Sequence, residues 1–238
     1  MLGYINKFLI LILVMILFIY SFDFKFYIFL LSWTINVLVI LNIKKIKKEE
    51  IEKFLTFFRR TLYLIPLIFP LMFVDIKEYF VWNVRSIVLG IIIGFIFLAS
   101  DFSTYKLFLS KEYISFVGKE KIYKVIGNIY SLFLGAIFEE IYFKGIVINI
   151  LQQYIGIYSI FISSYLFFLH HYLTKKIDKF SRKDFCIQIL FSLLTCFIYY
   201  KTENLLIGLV AHIIYNMPLS IYYIKRGMIK WIIYMKKF

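Results

Sequence analysis

The feature that most constrains the fold of this chain is a set of long apolar runs with almost no charged residues. Examples are residues 8–20, 26–43, 87–99 and 205–224. About 20 apolar residues in a helix cross the hydrocarbon core of a bilayer. With 62% hydrophobic residues and a mean hydropathy of +0.84, the chain is also far more apolar than a soluble domain. The sequence therefore predicts an all-α, polytopic membrane helical bundle.

The apolar runs, taken in order, predict about eight transmembrane helices. The first run is not followed by the small-residue cleavage site of a signal peptide, so it is interpreted as a transmembrane helix. Lysine and arginine concentrate in the connecting segments of one side, which is typical of cytoplasmic loops. Both termini are therefore predicted to be cytoplasmic. The predicted spans are residues 5–21, 26–43, 61–74, 84–100, 125–151, 157–173, 185–200 and 205–224.

The formal net charge of +14 follows the same topology and does not indicate a nucleic-acid partner. Basic loops also attract anionic headgroups, so the lipid bilayer is the expected surface partner. Cys186 and Cys196 fall in one predicted helix and are expected to pack in the core. The excess of lysine over arginine and of Ile, Phe and Tyr suggests a bacterial source, and hence a plasma-membrane protein.

Three regions are predicted along the chain. Residues 1–118 form N-terminal helices that serve as a scaffold. This region includes most of an amphipathic interfacial segment that is predicted over 101–124. Residues 119–225 form a helical core that contains the polar residues described next. Residues 226–238 form a basic cytoplasmic tail.

Two adjacent glutamates, Glu139 and Glu140, lie in the fifth predicted helix. An ionisable residue inside a bilayer costs at least about 2.5–3.5 kcal/mol on insertion scales, so it indicates a functional site by default. Adjacent helical side chains point about 100° apart, so the two carboxylates cannot share one role. Glu140 and Lys144 have the favourable i, i+4 order for an ion pair. Glu139 is then available as a general base, although a water-filled vestibule or an ion path would also explain both carboxylates.

The sixth and eighth predicted helices contribute further polar residues. His170 and His171 are adjacent and so occupy different faces, whereas His212 and Asn216 are spaced i, i+4 on one face of an apolar helix. That histidine and asparagine could donate jointly to one oxygen. Each residue alone could be a core histidine or a polar contact between helices, which contributes about 0.6–2 kcal/mol. Together with two glutamates on another helix, they favour one shared site.

Motifs of several other hydrolases are absent from the sequence. It contains no His-Glu-x-x-His zinc motif, no Gly-x-Ser-x-Gly nucleophile elbow and no Gly-x-Gly-Asp stretch. Hydrolysis would therefore need water activated by glutamate and histidine, with or without a metal.

In order and spacing, these residues resemble the three motifs of the CAAX protease and bacteriocin-processing (CPBP, abortive-infection-like) family of intramembrane endopeptidases. The first motif has two glutamates, three variable residues, an arginine and a glycine, and corresponds to Glu139–Gly145. The second, Phe-x-x-x-His, corresponds to Phe167–His171, with Ser163-Ser164 before it. The third, His-x-x-x-Asn, corresponds to His212–Asn216. The resemblance covers roughly residues 120–225.

The resemblance implies an endopeptidase that acts within the membrane. Glu139 and His171 would activate water, and His212 and Asn216 would bind the oxyanion. Glu140 would have a supporting role. The substrate would be a peptide or a membrane protein: a prenylated CAAX-like tail, a bacteriocin or pheromone precursor, or a membrane-protein fragment.

The family is also described as metallopeptidases, which implies a possible metal site here. Glu139, His171 and His212 would be its ligands, and zinc accepts such a set. Otherwise no cofactor is expected. The predicted spans place Glu139 near mid-membrane, His171 near the inner face and His212 above the middle, so helix tilt would have to bring them together.

One motif position departs from the family, because Lys144 replaces the arginine. Lysine keeps the charge and the reach to Glu140 but loses the planar, bidentate fork. A non-catalytic bacteriocin self-immunity or partner-binding membrane protein is therefore an alternative. A second alternative is a proton- or cation-coupled carrier that uses the glutamates and histidines as relay groups, but no internal repeat supports it. His170 has no motif role, and packing or a supporting contact is expected for it.

Overall fold

The computed structural model describes residues 24–43, 51–73, 79–174 and 181–228. The first predicted span, 5–21, and most of the predicted tail lie outside these residues. Every regular element within the described ranges is a helix, which confirms the all-α prediction. Four of these helices are long and apolar enough to cross a membrane, or five if one bent pair is counted as a span. The total of eight and the cytoplasmic termini remain predictions.

The described helices are numbered here in chain order. A 3₁₀ turn, Phe69–Met72, continues α2, and a π-helical segment, Ile141–Ile148, joins α6 to α7. The helices are α1 (Phe24–Asn42), α2 (Glu52–Ile68), α3 (Val84–Ser100), α4 (Phe102–Phe108), α5 (Lys111–Val117), α6 (Ile122–Glu140), α7 (Asn149–Ile155), α8 (Tyr158–Thr174), α9 (Arg182–Thr202) and α10 (Leu205–Gly227).

Helix α2 begins nine residues before the predicted third span, 61–74. Its first turns contain charged residues that a hydropathy pattern assigns to a loop. Glu52 forms ion pairs with Lys121 and Lys124, 3.3 and 2.7 Å away, at the start of α6. These charges therefore belong to a helix that packs along α6, and α2 lies beside the helix that contains the two glutamates.

Close packing of α3 against α10 fixes the position of the last helix. A Cβ atom on Gly90 would lie 2.7 Å from the Ile207 carbonyl oxygen, and one on Gly94 would lie 2.7 Å from Cβ of Ile214. Glycines spaced i, i+4 let two membrane helices approach until their backbones nearly touch. This contact sets the register of α10, the helix that carries His212.

A π-helical segment directly follows the two glutamates, where an ordinary helix was predicted. All eight of its residues are buried. Such segments are rare in α-helices and frequently occur at functional sites. It is followed by α7, so the predicted fifth span, 125–151, corresponds to a longer element of three consecutive helical segments.

Segment 101–124, predicted to be interfacial, contains the two short helices α4 and α5. Helix α4 turns away from α3 by 75°. All of its residues are exposed or half-buried, and the interfacial position of the segment remains a prediction.

Candidate active site

Three histidines surround the carboxylate of Glu139 at the end of α6. His171 Nε2 lies 3.5 Å and His212 Nε2 lies 3.9 Å from Oε2 of the glutamate. His170 Nε2 lies 3.5 Å from its other oxygen, Oε1. The glutamate is 6% exposed. The structure therefore brings together Glu139, His171 and His212, in spite of the different depths predicted for them.

The hydrogen bonds of the two motif histidines determine which ring nitrogen faces Glu139. His171 Nδ1 lies 3.1 Å from the Phe167 carbonyl oxygen, and His212 Nδ1 lies 3.0 Å from Oε1 of Glu140. A carbonyl oxygen or an ionised carboxylate can only accept, so each Nδ1 donates. In the neutral rings, both Nε2 lone pairs then point towards Oε2 of Glu139.

Asn216 lines the same cavity, of about 390 Å³, as Glu139, His171 and His212. It follows His212 by one turn of α10. Its side-chain amide makes no hydrogen bond within the described part of the chain, so the amide is available to a ligand. All four residues predicted to be catalytic thus border one cavity.

A second cavity, of about 660 Å³, also reaches Glu139. Besides Glu139, the two cavities share Ser131 and Leu132 on α6, about two turns before the glutamate. Arg59 and Lys124 line the second cavity, whereas His171, His212 and Asn216 line the first. Glu139 is therefore accessible from two sides.

The ion pair predicted from the i, i+4 spacing is present. Lys144 Nζ lies 2.6 Å from Oε1 of Glu140, and both side chains are 1% exposed. The ammonium also lies over the Phe167 ring, 4.8 Å from its centre. Since the same Glu140 oxygen accepts from His212, the pair links the π-helical segment to α10. This link was not predicted, because no sequence spacing indicates a contact between distant helices.

The second oxygen of Glu140 is in a different environment. Oε2 is buried and has no hydrogen-bond partner among the described residues. A Cβ atom on Gly208 of α10 would collide with it. Glycine at this position therefore lets the carboxylate approach α10 closely enough to bond to His212.

His170 also lies at the site, although the motifs give it no role. Its Nδ1 is 2.9 Å from Nδ2 of Asn36 on α1, and its Nε2 is hydrogen-bonded to the Tyr63 hydroxyl on α2. The prediction of a supporting contact is thus consistent with its position. The partners on α1 and α2 could not be predicted, since their own sequence surroundings are apolar and contain no motif.

The donor set around Glu139 fits a divalent metal. Glu139, His171 and His212 each offer one ligand atom, and these atoms lie within 4.8 Å of one another. Two imidazoles and a carboxylate are a ligand set of catalytic zinc sites. In such sites the second imidazole nitrogen donates to a carbonyl or a carboxylate, as it does in both rings here.

Comparison with known families gives one match. Residues 122–218 match the family model of the Rce1-like type II CAAX prenyl endopeptidases, a family of membrane proteases. The matched segment contains all three motifs, and the resemblance to the CPBP family is confirmed. No curated protein and no solved structure gave a significant match.

Proposed function

We propose that the protein is an intramembrane endopeptidase of the CAAX-protease type that hydrolyses a peptide bond with water activated at Glu139. The supporting observation is the convergence of two imidazole Nε2 atoms on one oxygen of this buried glutamate. The site also borders a cavity with an available Asn216 amide. This arrangement provides a base, two groups that hold a water, and an oxyanion donor.

In the proposed reaction, Glu139 takes a proton from a water that lies between its Oε2 and His171. The water oxygen adds to the carbonyl carbon of the substrate, and the carbonyl oxygen becomes an oxyanion. The amide of Asn216 donates to that oxygen. Glu139 then delivers its proton to the leaving amine as the carbon–nitrogen bond breaks, so the enzyme returns to its starting state.

The role of His212 depends on whether a metal is present. Since its Nδ1 donates to Glu140, it can donate from Nε2 to an oxyanion only as an imidazolium. In its neutral form, Nε2 would instead be free to bind a metal together with Glu139 and His171. A bound divalent ion would polarise the water and the substrate carbonyl. Glu140, neutralised by Lys144, orients the ring in both cases.

Two cavities that share Ser131, Leu132 and Glu139 suit a peptide in extended conformation. A peptide that extends through both cavities would pass Glu139, where a backbone carbonyl could face the water that the carboxylate activates. The proposed substrates are segments of membrane-bound or lipid-anchored proteins, such as CAAX-like tails or leader-bearing precursors. The proposed location is a bacterial plasma membrane, with residues 119–225 as the catalytic core and 226–238 as a cytoplasmic tail.

Purified protein, offered a peptide library with and without a chelator, tests the proposal. Glu139→Gln removes the base with little change in shape, and we expect the cleavage rate to fall by about 10²–10⁴. The matched control is Glu120→Gln, since Glu120 pairs with Arg226 away from the site. Cleavage that survives Glu139→Gln would exclude the assigned base, and loss of activity with chelator would indicate a metal.

Two measurements on the same variants separate the alternative functions. Peptide binding without cleavage by the wild type would favour a self-immunity or partner-binding protein. Proton or cation flux into vesicles that contain the protein, measured without added peptide and lost in Glu139→Gln, would favour a carrier.

A further inference from the structure

We infer that His170, Asn36 and Tyr63 form a positioning network for Glu139, so that α1 and α2 complete the active site. This inference rests on the proposed function and adds to it three residues to which the motifs assign no role. Two of them, Asn36 and Tyr63, also precede the segment matched by the family model, residues 122–218. The N-terminal helices then act on the catalytic carboxylate as well as supporting the fold.

The network gives His170 a defined tautomer. His170 and Asn36 are fully buried, and the side-chain amide of Asn36 donates to Nδ1 of the ring over 2.9 Å. Because that nitrogen accepts, the ring proton of neutral His170 is on Nε2. This is the opposite of His171, whose Nδ1 donates to the Phe167 carbonyl.

The tautomer of His170 distinguishes the two oxygens of Glu139. Oε1 lies 3.5 Å from His170 Nε2, which carries a proton, while Oε2 faces the Nε2 atoms of His171 and His212. The Tyr63 hydroxyl is hydrogen-bonded to the same His170 nitrogen, so it accepts from the single N–H there and limits rotation of the ring. The protonated edge of the His170 ring therefore faces Oε1 and attracts this oxygen electrostatically, which leaves Oε2 directed to the water or metal.

A purely structural role explains Asn36 poorly. Its Oδ1 is buried and has no hydrogen-bond partner among the described residues, and a buried acceptor without a partner lowers stability. An apolar side chain of similar size would avoid that loss. Orienting His170 gives this buried amide a function that an apolar residue could not supply.

Helix α1 also provides a matched control. One turn before Asn36, Ser32 donates to the Tyr142 hydroxyl over 3.0 Å in another buried contact between α1 and the core. This contact is of the same kind and depth but does not involve Glu139. Tyr142→Phe therefore removes a buried hydrogen bond of α1 without changing the network.

The test compares four variants: His170→Leu, His170→Gln, Asn36→Leu and Tyr142→Phe. For each one, kcat and KM are measured on a cleaved peptide, together with the Kd for Zn²⁺ and the Tm. We expect His170→Leu to lower kcat about 10–100-fold and to weaken Zn²⁺ binding by a similar factor, with KM unchanged within about 2-fold. His170→Gln keeps an N–H donor near Oε1 and should recover most of kcat. Asn36→Leu should lower kcat, and Tyr142→Phe should change only the Tm.

Several results would overturn the inference. One is a normal kcat and Zn²⁺ affinity in His170→Leu, and another is a loss of kcat in Tyr142→Phe as large as that in Asn36→Leu. If the wild type cleaves no peptide, the proposed function fails. The inference then still holds if Zn²⁺ binding depends on His170, and it fails as well if the wild type binds no Zn²⁺.

Discussion

The buried ion pair between Glu140 and Lys144 leads to a quantitative prediction. The two side chains are 1% exposed, and their charged atoms are 2.6 Å apart. Glu140→Gln removes the negative charge with almost no change in volume and leaves the ammonium buried and uncompensated. Breaking a buried pair in this way costs about 3–5 kcal/mol. For a chain of this size, 1 kcal/mol corresponds to about 2–4 °C, so the Tm should fall by about 6–20 °C.

The assay is thermal unfolding of purified protein in one detergent. Lys121→Gln is the control, because its pair with Glu52 is largely exposed and its loss should leave the Tm almost unchanged. The double variant Glu140→Gln with Lys144→Met removes both charges and should recover most of the lost Tm. A fall of less than about 3 °C in Glu140→Gln, or no recovery in the double variant, would refute the reasoning.

Three further predictions follow from contacts around the site. Lys144→Arg can donate to the Oε2 of Glu140 that now has no partner, so we expect a higher Tm and at least the wild-type cleavage rate; a lower Tm would show that the site is shaped for lysine. Gly94→Val would force α3 away from Ile214, so we expect it to lower the stability by about 1–3 kcal/mol in the same thermal assay and to lower the cleavage rate. An unchanged Tm would exclude tight packing between α3 and α10 at this position. Asn216→Ala should lower kcat by about 10²–10³, measured at saturating peptide, because it removes the oxyanion donor. Asn216→Asp should be no better, since an ionised carboxylate cannot donate a hydrogen bond. A normal kcat with a KM raised by that factor would exclude an oxyanion role.

Part of the site is determined by spacing along the sequence. Glu140 and Lys144 are one helical turn apart and form an ion pair. His171 likewise donates to the carbonyl of Phe167, four residues earlier, so the second motif contains the acceptor that orients its own histidine. These contacts could be expected because a helix fixes the distance between residues i and i+4 whatever packs around it.

The ends and depths of the helices were predicted less well. The third span was expected to begin at residue 61, but α2 begins at Glu52, whose carboxylate pairs with Lys121 and Lys124 although hydropathy assigns it to a loop. Glu139, His171 and His212 were expected at different depths, yet their functional atoms lie within 4.8 Å. A hydropathy pattern contains no information about tilt or about the register between helices.

The sequence by itself therefore determined that this is a helical membrane chain with three polar motifs, because apolar length and helical spacing are local properties. The tertiary structure alone decided which nitrogen of His212 and which nitrogen of His170 faces Glu139. That choice depends on partners from other helices: Glu140 for His212, and Asn36 for His170. It also decided that α1 and α2 reach the site, since contacts between distant segments depend on how the helices pack and not on any spacing along the chain.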